Sequence, residues 1–236
     1  MTHTDLTDTA ATDQRSRLPG WPEIFVAAAA YYLCFLVGPP VVRSFTGDEP
    51  VANGLAFAAL SGVMGLVAFF AAFAIRHRSW PAFSFRPITG RWVLYSIGFG
   101  LLAFVLVRVV AAVVVVGIIG NADSDPQGDY VAASNAGPIG LVLQLLFIAV
   151  LTPLGEEFAF RGVVSTALTR YGAWVSVIGS TVVFALAHGI NLALVPATVV
   201  GAINGYLLVR TKSVWPGVIV HAVSNGLGTI LGVLLS

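Results

Sequence analysis

The chain has 236 residues, of which 57% are hydrophobic and only 10% are charged, and its mean hydropathy is +0.89. A soluble domain carries roughly 25% charged residues because its surface must be wetted, so this composition excludes a soluble fold. The net charge of +1 gives no reason to expect a nucleic-acid partner. We therefore predict an all-α, polytopic transmembrane helix bundle whose surroundings are membrane lipid.

Residues 1–20 are polar, rich in Thr and Asp, and end in Pro-Gly, which predicts a disordered cytoplasmic tail. After the tail, the chain alternates between apolar runs and short polar connections. About 20 apolar residues are needed to cross a bilayer as a helix. Seven runs are close to that length and predict about seven transmembrane helices, at 21–42, 51–75, 92–120, 137–164, 173–190, 191–210 and 214–236.

The basic residues predict the orientation, because Lys and Arg accumulate on the cytoplasmic side of membrane proteins. They lie in the tail and in the second, fourth and sixth connections: Arg15, Arg17, Arg76, Arg78, Arg86, Arg91, Arg170, Arg210 and Lys212. The first connection has Arg43 alone, the third has only the acids Asp123, Asp125 and Asp129, and the fifth has no charge. This alternation predicts a multi-pass protein of the cell membrane with a cytoplasmic N-terminus.

Polar residues divide the chain into two parts. The first three runs contain almost none apart from Arg108, whereas the last four contain Glu156, Glu157, Arg161, His188, Asn191, Asn204, His221 and Asn225. Because a charge at the bilayer centre costs at least about 2.5 kcal/mol, such groups face a protein interior or a water-filled cavity. We therefore expect residues 21–136 to form a three-helix scaffold and residues 137–236 to form a four-helix core with a polar site.

The spacing of the two glutamates predicts different tasks for them. Glu157 and Arg161 are four residues apart, so they lie on one helical face and can form an ion pair. Glu156 is turned by about 100° from Glu157 and is left unpaired in a low-dielectric environment. A carboxylate in such a place is a candidate general base, although a Glu–Arg pair by itself is more often a structural clamp.

Two further predicted helices each carry a histidine paired with another residue at the same spacing. Phe184 precedes His188 by four residues, and His221 precedes Asn225 by four. One glutamate, two histidines and one asparagine from three helices could therefore converge on a single water or metal ion. The alternative for each residue alone is structural, since an intramembrane His or Asn often hydrogen-bonds a neighbouring helix.

The order Glu-Glu-x-x-x-Arg, Phe-x-x-x-His, His-x-x-x-Asn resembles the CPBP family, the intramembrane proteases related to CAAX prenyl proteases, bacteriocin-processing enzymes and Abi-like proteins. The resemblance covers roughly residues 137–236, and the stretch 201–225 looks like the family's third and fourth motifs. Within it, Gly201 and Gly205 allow close helix packing before His221 and Asn225. It implies that residues 137–236 are a CPBP-like catalytic core that acts as an intramembrane endopeptidase on a peptide or protein substrate.

The resemblance also implies a role for each residue. Glu156 would activate the attacking water with assistance from His188. His221 and Asn225 would position the water or stabilise the oxyanion. Three residues, Glu157, Arg161 and Phe184, would support the geometry of the site.

Three questions stay open at this stage. We favour a glutamate-activated water without a required cofactor, and the alternative is zinc held by Glu156, His188 and His221, although the HExxH motif is absent. Other functions to weigh are a non-catalytic membrane scaffold or immunity protein of the same family, and a proton-coupled transporter. The short chain looks bacterial, so leader-peptide substrates are as plausible as prenylated ones.

Overall fold

The computed structural model describes residues 18–76, 79–114 and 128–235, and the described part is entirely helical apart from short connections. The predicted all-α helix bundle is confirmed. Eight helices follow one another in these ranges: α1 Trp21–Thr46, α2 Pro50–Ala74, α3 Gly90–Val114, α4 Gly128–Ser134, α5 Gly137–Tyr171, α6 Ala173–Ala187, α7 Leu194–Thr211 and α8 Trp215–Leu235. A 3-10 turn, Trp80–Phe83, lies between α2 and α3.

Six of these helices (α1, α2, α3, α5, α7 and α8) are long and apolar enough to cross a membrane, and α6 is a shorter apolar helix at the fifth predicted run. Helix α4 lies in the third connection, for which the sequence indicated acidic residues but no helix. The predicted tail over residues 1–17, the end of the third run over 115–120, and three charges used for the orientation (Arg78, Asp123 and Asp125) lie outside the described residues.

The helix bundle is apolar on its outside and polar at its centre. Large side chains such as Phe25, Val109 and Ile178 are more than half exposed, as expected for surfaces that face lipid. By contrast, Glu157 and Arg161 are fully buried. This inversion of the usual soluble pattern agrees with a multi-pass membrane protein.

The ends of the first two helices are specified by local signals. The amide of Gly20 donates to the Glu23 carboxylate at 2.7 Å, which caps α1 and places Pro22 in its first turn. The Glu49 carboxylate accepts hydrogen bonds from the second and third residues after it, and Pro50 begins α2. Arg76 then ties the end of α2 to Glu23 at 3.3 Å.

Helix α5 lies at the centre of the bundle and packs against α2, α6, α7 and α8. Its approach to α2 is close because glycines face each other. A Cβ atom added at Gly155 would overlap the carbonyl oxygen of Gly62, and one added at Gly65 would overlap the backbone of Gly155. The two backbones can touch only because these positions lack side chains. This contact places α2 directly beside the first glutamate of α5.

Helix α6 is short and ends beside the centre of the site. Its 15 residues span about 22 Å, less than the roughly 30 Å of a hydrocarbon core. The fifth and sixth runs were expected to meet at 190 and 191, but α6 ends at Ala187 and α7 begins at Leu194. Gly189 turns the chain with φ of 82°, which favours glycine. His188 therefore lies at a helix end and is not part of a full-length span.

Candidate active site

Helix α5 presents its two glutamates between two stretches of wider π-helix. These stretches are Phe147–Leu151 and Phe158–Ser165, and the α-helical segment Thr152–Glu157 lies between them. A π turn rotates the following residues relative to a regular α-helix and is common at functional sites. The glutamate pair thus lies on a locally irregular part of the central helix.

Glu157 is the centre of a buried polar cluster that joins three helices. Its Oε2 is 3.2 Å from Nε of Arg161, and neither side chain is exposed. Its Oε1 accepts a hydrogen bond of 2.9 Å from the amide of Asn204 on α7, which also donates to the carbonyl of Gly217 on α8 at 3.2 Å. Arg161 in turn donates to the carbonyl of Gly201 at 3.1 Å. Buried charges persist only with such partners, so this cluster fixes the relative positions of α5, α7 and α8.

Each histidine uses its Nδ1 atom to contact an acceptor. Nδ1 of His221 lies 3.2 Å from Oε1 of Glu157, and Nδ1 of His188 lies 2.9 Å from the carbonyl oxygen of Phe184. A carbonyl or carboxylate oxygen can only accept, so both Nδ1 atoms carry the hydrogen. In the neutral rings, both Nε2 atoms therefore present a lone pair.

Glu156 occupies the space in front of these two lone pairs. Its Oε1 accepts a hydrogen bond of 2.7 Å from the hydroxyl of Ser61 on α2. Its Oε2 lies 3.8 Å from Nε2 of His188 and 3.8 Å from Nε2 of His221. This oxygen is buried and accepts no hydrogen bond from the described part of the chain. The structure thus brings together Glu156, His188 and His221, which belong to three different segments.

Three acceptor atoms that face one another need a shared hydrogen-bond donor. The separations of 3.8 Å are too long for direct hydrogen bonds, so a bridging donor is needed to link these atoms. Because a water molecule can donate two hydrogen bonds, it is a suitable partner for the carboxylate oxygen and an imidazole nitrogen.

Phe184 packs among the charged groups of the site. Its ring centroid lies 4.4 Å from the guanidinium carbon of Arg161, a cation–π contact. The same ring lies edge-on to His188 at 4.7 Å and to His221 at 5.9 Å. The aromatic side chain therefore contacts both imidazoles and Arg161 and packs them together.

Asn225 lines the same cavity but makes its contact elsewhere. Its amide donates to the carbonyl oxygen of Ile148, in the first π-helical stretch, at 3.0 Å. The cavity has a volume of about 440 Å³ and is lined by Glu156, both histidines and Asn225. One N–H of the Asn225 amide is left for a ligand after the bond to Ile148.

The sequence did not indicate three other polar residues that line the cavity. Ser61 is a small side chain in an apolar helix, and no spacing pattern connects it to Glu156. Gln144 is buried, and its carbonyl oxygen has no hydrogen-bond partner among the described residues. Tyr130 is on α4, outside the candidate spans, and its pKa is raised to about 12, mainly by burial and further by the negative charge of Glu156.

The alternative predicted from the sequence was a zinc ion held by Glu156, His188 and His221. Within the ranges that the structure describes, no group of three or more His, Cys, Asp or Glu side chains has an arrangement that could hold a metal ion.

The described chain is thus a multi-pass helical bundle in which a carboxylate and two imidazoles line an internal cavity. Residues 138–227 match the family model of the Rce1-like type II CAAX prenyl endopeptidases. This match over residues 138–227 confirms the resemblance to CAAX-type proteases seen in the sequence. No curated protein and no solved structure matches the chain.

Proposed function

We propose that this protein is an intramembrane endopeptidase that hydrolyses a peptide bond with a water molecule activated by Glu156. One observation carries the proposal: two imidazole Nε2 atoms, from different helices, both lie 3.8 Å from the same buried carboxylate oxygen that lacks a hydrogen-bond partner in the described chain. The family match over residues 138–227 supports the same reaction.

In the first step, Oε2 of Glu156 takes a proton from the water while the water oxygen bonds to the carbonyl carbon of the substrate. The carbonyl electrons move to its oxygen, which becomes an oxyanion. In the second step, the C–N bond breaks as the oxyanion re-forms the carbonyl, and the proton passes from Glu156 to the leaving nitrogen. The glutamate returns to its ionised form.

The other residues of the site contribute to this reaction in distinct ways. His188 accepts the second hydrogen of the water at its Nε2 lone pair, His221 lies beside the water and limits its position, and the free N–H of Asn225 donates to the oxyanion. The Glu157–Arg161 pair positions His221, because Glu157 accepts from its Nδ1 at 3.2 Å. Phe184 supports both rings by packing. No required cofactor enters this scheme.

We also propose the division into a scaffold over residues 21–136, whose three long helices are α1, α2 and α3, and a catalytic core over residues 137–236, with Ser61 as the scaffold residue that hydrogen-bonds Glu156. The charge distribution supports a cytoplasmic N-terminus. Labelling of cysteines introduced singly at Thr46 and Lys212, with a reagent that does not cross membranes, tests this orientation.

The decisive experiment compares wild-type protein with Glu156→Gln in proteoliposomes that contain cleavable peptide reporters. One reporter is prenylated and ends in a CAAX sequence, and the other is a leader peptide. We expect at least one reporter to be cleaved by the wild type and cleavage to fall about 1,000-fold or more in the variant, since the base is lost. Glu49→Gln, which changes a helix cap outside the cavity, is the matched control.

Full cleavage by Glu156→Gln would overturn the assignment of the base. Cleavage that disappears with a chelator and returns with zinc would favour the zinc alternative. If neither reporter is cut and Glu156→Ala keeps the full cellular function, the non-catalytic scaffold is the better explanation. Flux of protons through the proteoliposomes without a cleavage product would instead support transport.

A further inference from the structure

Arg108 is a charged residue within the third candidate span that the proposed hydrolysis does not use. It lies on α3 and lines the same cavity as Glu156 and the histidines. Its guanidinium carbon is 5.5 Å from the ring centroid of Phe104, and its side chain is exposed. Among the described residues, it forms no ion pair with a carboxylate and donates no hydrogen bond.

An unpaired guanidinium within an apolar span is costly unless a ligand or water satisfies it. Arginine is suited to bind a carboxylate, because its planar fork can donate two parallel hydrogen bonds. Because Arg108 lines the cavity, an anionic ligand in the cavity can reach its guanidinium group. The residue therefore has the properties of an anion-binding group at the active-site cavity.

Helix α8 relates this arginine to the reacting groups. His221, Asn225 and Gly228 are spaced by four and three residues and share one helical face. Nη2 of Arg108 lies against Gly228, where an added Cβ would be only 3.0 Å away. Seven residues of helix separate His221 from Gly228, a distance of about 10 Å along the axis. An extended peptide covers the same distance with about three residues.

A second polar group in the lining of this cavity points to a peptide ligand. The Asn225 amide bonds the carbonyl of Ile148, and Gln144 lies one helical turn before Ile148, farther from Glu156 along α5. The carbonyl oxygen of the Gln144 side chain is buried without a hydrogen-bond partner among the described residues, and the side chain lines the cavity. An amide N–H of a bound peptide would satisfy this oxygen.

We propose that Arg108 binds a carboxylate of the peptide substrate, about three residues from the bond that is cut, and that Gln144 accepts a hydrogen bond from the same peptide. The carboxylate belongs either to the end of the peptide or to an acidic side chain. This inference rests on the proposed endopeptidase function, and it adds a residue that determines specificity.

The test measures binding, so that it does not depend on turnover. The full chain carrying Glu156→Gln is placed in nanodiscs of phosphatidylcholine, and binding of dansylated apolar decapeptides is followed by fluorescence anisotropy. Three peptides are compared: one with a free terminal carboxylate, one with a terminal carboxamide, and one with a carboxamide and a Glu three residues from the end. The variants are Arg108→Gln and Arg108→Lys, each in the Glu156→Gln background.

We expect one of the carboxylate peptides to bind about tenfold more tightly than the uncharged peptide. The peptide that shows this preference identifies the source of the carboxylate. Arg108→Gln should remove the preference, and Arg108→Lys should keep part of it, because lysine retains the charge without the fork. Arg43→Gln is the matched control, because Arg43 also stacks on a phenylalanine, at 5.8 Å, but does not line the cavity.

Two results would overturn the inference: equal binding of all three peptides, or a preference that survives Arg108→Gln. A third result would also overturn it: phosphatidylglycerol stabilises the chain only when Arg108 is present, and no peptide preference is seen. Arg108 would then bind lipid phosphate. Loss of hydrolysis in the wild type with an intact peptide preference would refute only the endopeptidase proposal. The two proposals therefore fail separately.

Discussion

The hydroxyl of Ser61 is the contact through which the N-terminal helices act on the proposed base. It donates to Oε1 of Glu156 at 2.7 Å, while Oε2 of the same carboxylate faces the two imidazoles. With Ser61→Ala the carboxylate can rotate away from the water position. A hydrogen bond to a charged group contributes about 1.5–3 kcal/mol. If this contribution is fully expressed in the transition state, kcat falls roughly 10- to 100-fold, since about 1.4 kcal/mol equals a factor of ten.

The assay is steady-state cleavage of a reporter peptide by purified protein in proteoliposomes. We expect the loss to be in kcat, with KM almost unchanged, because Ser61 positions the base and is not required to bind the peptide. Ser61→Cys should recover part of the rate, since a thiol is a weak donor of similar size. Ser96→Ala is the control, because Ser96 is also buried but bonds only the Trp92 carbonyl in its own helix, at 2.7 Å. A full wild-type kcat in Ser61→Ala would refute this reasoning.

Three further predictions concern packing, charge and pH. Gly155→Ala should lower the melting temperature strongly, because its Cβ overlaps the backbone of α2, whereas Gly98→Ala should be neutral, since an added Cβ there has no neighbour within 4 Å. Arg161→Gln should destabilise the fold by about 3–5 kcal/mol, because it leaves Glu157 buried without its cation. Adding Glu157→Gln to this variant should recover part of the lost stability, as measured by thermal unfolding in detergent. Tyr130→Phe should leave both limbs of the pH–rate profile in place below roughly pH 10, because the tyrosine has a pKa of about 12 and stays neutral over that range.

Each of these predictions has a contrary outcome. Equal melting temperatures for Gly155→Ala and Gly98→Ala would mean that α2 and α5 are not in backbone contact. A double variant no more stable than Arg161→Gln would mean that the unpaired charge of Glu157 is not the cause of the loss. A shifted limb in Tyr130→Phe would mean that the hydroxyl titrates near neutral pH or is coupled to a group that does.

Much of the candidate site follows from the order of residues along the chain. Charged and imidazole groups cost free energy in an apolar helix, so their presence there indicates a site. This reasoning identified Glu156, Glu157, Arg161, His188 and His221. The i, i+4 spacing correctly indicated the contact between Glu157 and Arg161, which is a property of one helix.

The contacts between helices were harder to predict, for reasons that individual residues illustrate. The depth of His188 depends on where α6 ends, and the apolar run continues past that point without a marked change in composition. Ser61 is an ordinary residue in an apolar helix, and its role arises only because three glycines let α2 touch α5. The sequence also does not say that Nδ1 of His221 contacts Glu157 and that its Nε2 faces Glu156.

Hydropathy and the cost of buried charge are local properties of the chain. The amino-acid sequence is therefore enough to predict a multi-pass helical membrane protein whose polar residues are concentrated in its last hundred residues. The folded chain is needed to see which oxygen of Glu156 accepts from Ser61, which imidazole nitrogens face the other oxygen, and that Arg108 lines the same cavity. Those relationships depend on distances between residues far apart in sequence, and such distances are set by how closely the helices pack.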